Sequence, residues 1–261
     1  CHVEQWDPDD PGPRSELLKK VAGIQGLYCL LSETIDTELL DAAGPSLRVV
    51  STMSVGYDHV SPEELKKRGI RLGYTPEVLT GAAAELTVAL LLATSRRLLE
   101  AVDEAKSGGW GSWKPLWMCG YGLTGSTVGI LGLGCIGKAV AIRPRPFGVK
   151  KFLYTNSAPR PKTAAEIPAE FGKRVHEPAR CSDFIIACCA LTPGTKGICH
   201  SRMFSQMKDT AAFTNTSRGG VVNQDDLHQA LVNGDIAAAG LDVTVPEPLP
   251  TDHALFKLKN C

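Results

Sequence analysis

The chain reads as an α/β protein built from two doubly wound parallel-sheet domains, and three observations predict this. Short apolar strands alternate with helical stretches along the whole length. One strand, Val128 to Leu131, runs straight into a glycine-spaced turn that opens a helix. The 261 residues exceed the usual size of one domain and suffice for two small α/β cores. Lys plus Arg (28) balance Asp plus Glu (28), so no overall field points to nucleic acid or an acidic membrane, and the expected partner is a small molecule.

In the first half, strands are expected at Gly26 to Leu31, Arg48 to Met53 and Ile70 to Tyr74, separated by helices at Ser15 to Ala22, Asp36 to Ala42 and Ser61 to Arg68. The last helix carries its own signals. Ser61 is the cap, Pro62 sits in the first turn, Glu64 completes a capping box, Val60 can staple Leu65, and Gly69 stops it. A longer helix from about Thr80 to Lys106 carries Leu86, Ala89, Leu90 and Ala93 and then charges, as a connector between domains would. Between Ser107 and Ser126 lie six glycines and three of the four tryptophans, Trp110, Trp113 and Trp117. This is either a loop folded over its own core or an arm that buries its indoles against another subunit. Beyond it, strands recur at Val128 to Leu131, Lys151 to Thr155, Asp183 to Cys188, Thr210 to Asn215 and Ile236 to Val243, forming a second sheet. The helix Asn223 to Asn233 is bounded by Asn223 as cap, by Asp225 and Asp226 where the helix dipole favours acids, and by Gly234.

The nine cysteines show no C-x-x-C spacing and read as reduced core thiols of a cytoplasmic protein. Leu86 to Ala93, the longest apolar run, is far too short to span a bilayer, and the polar start from Cys1 to Pro11 is no signal peptide. The start at Cys1 suggests a natural start further upstream. The histidines show no metal-ligand spacing, so no metal site is expected.

The glycine turn carries the first functional expectation. In Gly132-Leu133-Gly134-Cys135-Ile136-Gly137, Gly132 permits the tight turn and Gly134 lets backbone approach a pyrophosphate. Gly137 lets the helix pack close to its strand, and the amides of the helix start face the anion. An NAD site usually adds Asp or Glu about 20 residues on, at the end of the next strand, for the ribose 2′-hydroxyl. Here Tyr154-Thr155-Asn156-Ser157-Ala158-Pro159-Arg160 offers small polar groups and then an Arg. That suits a 2′-phosphate, so NADP(H) is expected over NAD(H); the alternative is a solvated loop with Arg160 facing water.

Four spaced motifs now stand together: Ser54-Val55-Gly56-Tyr57-Asp58-His59, the glycine turn, Asn215-Thr216-Ser217-Arg218-Gly219, and Gly240-Leu241-Asp242-Val243 with Pro246-Glu247-Pro248. In order, over essentially the whole chain, they resemble the D-isomer-specific 2-hydroxyacid dehydrogenases, most of all the family's reductases of glyoxylate and hydroxypyruvate. The resemblance implies a flavodoxin-like substrate domain over 1–102, an arm over 103–119 and a Rossmann nucleotide domain over 120–261. It also implies NADPH-dependent reduction of a small 2-oxo acid to the D-2-hydroxy acid, and a homodimer formed through the Trp110–Trp117 arm.

Site residues follow from the same resemblance. Arg218, at a strand end where ligands of open α/β sheets bind, would grip the substrate carboxylate with its planar fork, aided by backbone N–H groups of Val55 and Gly56. Glu247 would hold the catalytic His. Ala190, Thr216 and Asp242 would line the cofactor beside Gly132, Gly134, Cys135, Ile136, Gly137 and the stretch Ser157, Ala158, Pro159 and Arg160. The departures from the family are equally specific. Its pattern continues beyond Glu247 to a His-Ile-Gly signature, whereas the sequence stops at Cys261, so the general acid is expected to be missing and turnover impaired. His253 and His59 read as structural. The family's first strand is expected to be missing ahead of Cys1, Cys135 stands where a polar residue is usual, and Pro144 falls inside the helix opened at Gly134, at a cost of about 3 kcal/mol. The alternatives are a non-catalytic dinucleotide-binding or interaction protein, or a poorly folded remnant.

Overall fold

The computed structural model describes residues 2–6 and 12–261; Cys1, and with it part of the polar stretch up to Pro11, lies outside the described residues. The chain forms two compact units, Cys1–Leu79 and Thr80–Cys261.

In the first unit α1 (Arg14–Lys20), β1 (Gly26–Cys29), α2 (Thr37–Ala43), β2 (Val49–Thr52), α3 (Pro62–Lys67) and β3 (Arg71–Gly73) alternate, and the strands form a parallel sheet in the order β1-β2-β3. The core is aliphatic, with Ile35, Leu39, Leu40, Val50 and Leu65 fully buried. Asp36 caps α2 by accepting from Leu39 N–H, and Gly69, at φ +69°, ends α3. The capping box expected at Ser61 does not form. Ser61 makes no side-chain cap, because Glu64 turns instead to Lys67 at 2.6 Å and Arg68 at 3.7 Å on its own helix.

The second unit opens with α4 (Thr80–Ser95) and α5 (Leu98–Lys106). These are not the continuous connector expected over Thr80 to Lys106: Arg97 takes the left-handed conformation at φ 55° and breaks the helix between them. Nor does the division fall near residue 102. Ala84, Val88 and Leu91 are buried in one core with Val128, Ile130 and Val140, which joins α4 to the second unit.

That unit continues through β4 (Thr127–Leu131), α6 (Cys135–Ile142), β5 (Lys151–Thr155), α7 (Pro161–Glu166), β6 (Ala169–Phe171), α8 (His176–Cys181), β7 (Phe184–Ala187), α9 (Ser201–Phe204), β8 (Ala212–Asn215), α10 (Gln224–Asn233) and β9 (Ala238–Leu241). The six strands are parallel in the order β6-β5-β4-β7-β8-β9. Because successive side chains of a strand face opposite sides, Val128, Ile130, Phe184 and Ile186 join the layer of α4 and α6. Ile185, Ala187 and Phe213 join that of α8, α9 and α10. The short edge strand β6 was not expected from sequence. Pro144 does not interrupt a helix: α6 ends at Ile142, and Pro144 precedes a 3-10 turn, Arg145–Phe147, closed by Gly148 at φ 82°. The helix-interior cost is therefore not incurred. The boundaries of α10 match expectation, with Asn223 Oδ1 accepting from Asp226 N–H and Gly234 in the left-handed conformation.

Candidate functional site

Winding reverses between β4 and β7: β5 and β6 are laid down on one side of β4, and β7, β8 and β9 on the other. In open α/β sheets the crevice at such a point, beyond the carboxyl ends of the strands, is where ligands bind. Five loops at the strand ends of the second unit carry the expected residues.

After β4, Gly132 sits at φ +103° and donates its N–H to Thr155 O at 2.9 Å. A Cβ there would lie 2.7 Å from Cys189 Cα, so only glycine fits. Gly137 packs so closely that a Cβ would strike the carbonyl oxygen of Gly132. Gly134 differs: it precedes the first residue of α6 in extended conformation, and nothing lies within 4 Å of where its Cβ would be. Glycine is thus required by packing at two positions and leaves open space at the third, above the first N–H groups of α6, those of Cys135, Ile136 and Gly137. The turn fits a pyrophosphate on these grounds. Cys135 is exposed at the helix start and Ile136 is half-buried.

The end of β5 braces this turn. Asn156 Oδ1 accepts the N–H of buried Leu133 at 2.6 Å, and the hydroxyl of buried Tyr154 accepts the N–H of Arg160 at 2.9 Å. Between these anchors Ser157, Ala158, Pro159 and Arg160 are exposed, and residues 155–160 include no carboxylate. After β7, Ala190 is exposed and its carbonyl accepts from Thr195 Oγ1 at 2.6 Å. Just before it, burial pushes the thiols up, Cys188 to about 12 and Cys189 to about 11, so both stay neutral near pH 7.

The loop after β8 is organised by Asn215, whose residue is fully buried. Its Oδ1 accepts from Ser217 N–H at 3.0 Å and Ser217 Oγ at 2.8 Å, and its Nδ2 donates to Arg218 O at 3.0 Å. Half-buried Arg218 has one guanidinium nitrogen, Nη1, donating to Ser217 O at 2.8 Å. Thr216 Oγ1 lies 2.6 Å from Thr87 Oγ1 of α4. Gly219 admits the next loop, since a Cβ there would strike the backbone of Thr244. After β9, exposed Asp242 donates its N–H to Asn215 O at 3.0 Å, and the Gln224 side-chain amide clamps both backbone groups of Val245. Glu247 is exposed, flanked by cis bonds at Val245-Pro246 and Glu247-Pro248. His253 Nδ1 accepts from Leu255 N–H at 3.2 Å and so caps the 3-10 turn Ala254–Lys257, in keeping with a structural role.

In the first unit, half-buried Val55 and Gly56 follow β2 in a loop tied by a chain of hydroxyls. Ser54 Oγ donates to Gly56 O at 2.7 Å, so Thr52 must donate to Ser54, and His59 Nε2–H to Thr52 Oγ1 at 3.0 Å. His59 is thereby tied into this loop through Thr52. Among the described residues no group of His, Cys, Asp and Glu could hold a metal, and no helix is long and apolar enough to cross a membrane. The bracing roles of Asn156, Asn215 and Gln224 are not expected from the sequence motifs. For the two asparagines the signal was present: an Asn ending a strand before a turn.

The loops of the second unit carry three of the family's four motifs at one sheet edge, and the pattern of the D-isomer specific 2-hydroxyacid dehydrogenase NAD binding domain matches residues 88–261. The chain belongs to this family. It is 63% identical over 261 residues to human glyoxylate reductase/hydroxypyruvate reductase, covering 100% of this chain and 79% of the human protein. Among solved structures, a Thermus thermophilus protein superposes with a TM-score of 0.86 at 41% identity, covering 95% of this chain and 77% of that one. An NADPH-dependent glyoxylate/hydroxypyruvate reductase from Sinorhizobium meliloti, solved with NADP and malonate, superposes with a TM-score of 0.80 at 32% identity, covering 91% and 72%. Two of these three relatives are thus named as reductases of glyoxylate and hydroxypyruvate, and the Sinorhizobium meliloti one as NADPH-dependent.

Proposed function

We propose that this chain binds NADPH in preference to NADH and takes part in reducing a small 2-oxo acid, glyoxylate or hydroxypyruvate, to the D-2-hydroxy acid. The observation that carries the reading is Arg218, held by Asn215 at the carboxyl edge of the sheet whose glycine turn is open at Gly134. When bound, the nicotinamide supplies the hydride that goes to the carbonyl carbon. The planar fork of Arg218 takes the substrate carboxylate, and in the first unit the backbone N–H groups of Val55 and Gly56 are substrate-binding donors. Glu247 orients the proton donor that neutralises the developing alkoxide. Cys135, Ile136 and Gly137 hold the pyrophosphate; Ala190, Thr216 and Asp242 line the nicotinamide half; and Ser157, Ala158, Pro159 and Arg160 surround the 2′-phosphate.

A second reading is dinucleotide binding without turnover, for which the open glycine turn at Gly134 alone would suffice. Nucleotide titration and turnover of hydroxypyruvate on the 261-residue chain separate the two. Saturable NADPH binding with turnover lowered about 100-fold or more by Arg218→Gln supports the reductase. Binding without turnover supports the second reading, and an Arg218→Gln variant as active as the parent rules out the role given to Arg218.

The exposed Trp110 (70%), Trp113 (83%) and Leu116 (85%) support the arm as a surface that covers a second copy of the chain in a homodimer. Sedimentation of Trp113→Ser against the parent tests this; an unchanged monomer for both refutes it. Exposed Cys119, Cys135 and Cys181, all free thiols, fit a reducing compartment such as the cytoplasm.

A further inference from the structure

Asn156 stands at the end of β5, where dinucleotide sites distinguish a ribose hydroxyl from a ribose phosphate. A backbone N–H can only donate, so the atom 2.6 Å from Leu133 N must be the amide oxygen. This fixes which way the amide faces: Oδ1 is spent on the glycine turn, and the two N–H bonds of Nδ2 are the donors left over. A phosphate monoester is anionic and only accepts near pH 7, so it matches such donors, whereas a ribose hydroxyl gains most from a carboxylate that accepts its proton. Residues 155–160 supply no carboxylate.

We infer that Asn156, through an amide oriented by the Leu133 N–H, is a residue that selects the 2′-phosphorylated dinucleotide. The inference rests on the NADPH reading above and deepens it by naming a discriminating atom, Nδ2. Asn156→Asp is the informative change because it is isosteric. Its Oδ1 still accepts from Leu133, so the brace survives, but two donors are replaced by an anionic oxygen that repels the phosphate and accepts from a 2′-hydroxyl.

The experiment is a pair of titrations, NADPH and NADH, followed by nicotinamide fluorescence, on the parent, Asn156→Asp and Asn156→Ala; no catalysis is needed. The parent is expected to bind NADPH more tightly. In Asn156→Asp, placing like charges together should weaken NADPH by about tenfold or more while NADH tightens, so that the preference narrows or reverses. Asn156→Ala, lacking brace, donor and charge, should weaken both, with a preference between those of the other two proteins. A preference in Asn156→Asp equal to the parent's overturns the inference and leaves the NADPH reading standing. A parent that prefers NADH, or binds neither nucleotide, overturns both. Should Asn156→Asp fail to melt cooperatively, Asn156→Ala decides: a preference equal to the parent's overturns the role of Asn156.

Discussion

Replacing Asn215 should separate the bracing of the Arg218 loop from its charge. The side chain is fully buried and makes three hydrogen bonds, two accepted from Ser217 and one donated to Arg218 O. At about 1 kcal/mol net for each such bond, with a further penalty for partners left unsatisfied, Asn215→Ala should cost about 2–4 kcal/mol. A unit of this size loses roughly 2–4 °C in Tm per kcal/mol, so calorimetry should show a fall of roughly 4–16 °C. Asn215→Asp refines the test. Its carboxylate can still accept from Ser217, but the atom facing the Arg218 carbonyl must carry a proton to donate as Nδ2 does. The folded protein therefore favours the neutral acid and raises its pKa above that of the unfolded chain. The stability of the protonated form is full below the unfolded pKa and is lost as pH rises through the folded one. Relative to the parent, Asn215→Asp should be nearly as stable at about pH 4 and should lose stability toward pH 7. A variant that instead gains on the parent with rising pH would show the Arg218 guanidinium, and not its carbonyl, to be the stronger neighbour, and the reasoning would fail.

The two kinds of glycine in the turn should part company under substitution. Gly132→Ala combines a left-handed φ with a backbone clash against Cys189, and should cost about 3 kcal/mol or more in urea unfolding as well as abolish NADPH binding. Gly134→Ala meets nothing within 4 Å, so it should melt within a few degrees of the parent yet bind NADPH more weakly; unweakened binding would move the pyrophosphate elsewhere. Burial raises the thiols of Cys29, Cys188, Cys189 and Cys261 to about 11, 12, 11 and 11. Groups raised on folding stabilise fully below their unfolded pKa and lose that contribution as pH rises through the folded values. Tm should therefore fall progressively from about pH 9 to about pH 12, with less of a fall in Cys188→Ala. An equal fall in that variant would assign the alkaline loss to other groups.

Much of the fold was legible because the β-strands alternate faces and their helices end on Gly69 and Gly234, local signals that need no tertiary context. The breaks were not. Arg97 ends α4 with no glycine or proline to announce it, and three-residue β6 is too short to show a period. Pro144 looked disruptive only because the length of α6 could not be read from its composition. Glu64 shows two outcomes competing within one helix: the capping box and the pairing with Lys67 call on the same carboxylate, and spacing alone does not decide between them. At the site, the motif positions were visible, while the side chains that hold them were not. Asn156 braces a turn more than twenty residues earlier in sequence, and Gln224 clamps Val245 across a helix start.

The allegiance of α4 bears on how the protein can be taken apart. A cut made after its last helical turn would strip Ala84, Val88 and Leu91 from the nucleotide-binding unit and remove the hydroxyl partner of Thr216. Gly240 is part of the same dependence, since its bare Cα admits Leu90 and Thr94 against β9. The junction at which this module could be exchanged between related proteins, by recombination or by design, is therefore the loop before Thr80. A chimera joined there carries its own interior with it, and one joined at the tryptophan arm leaves part of that interior behind.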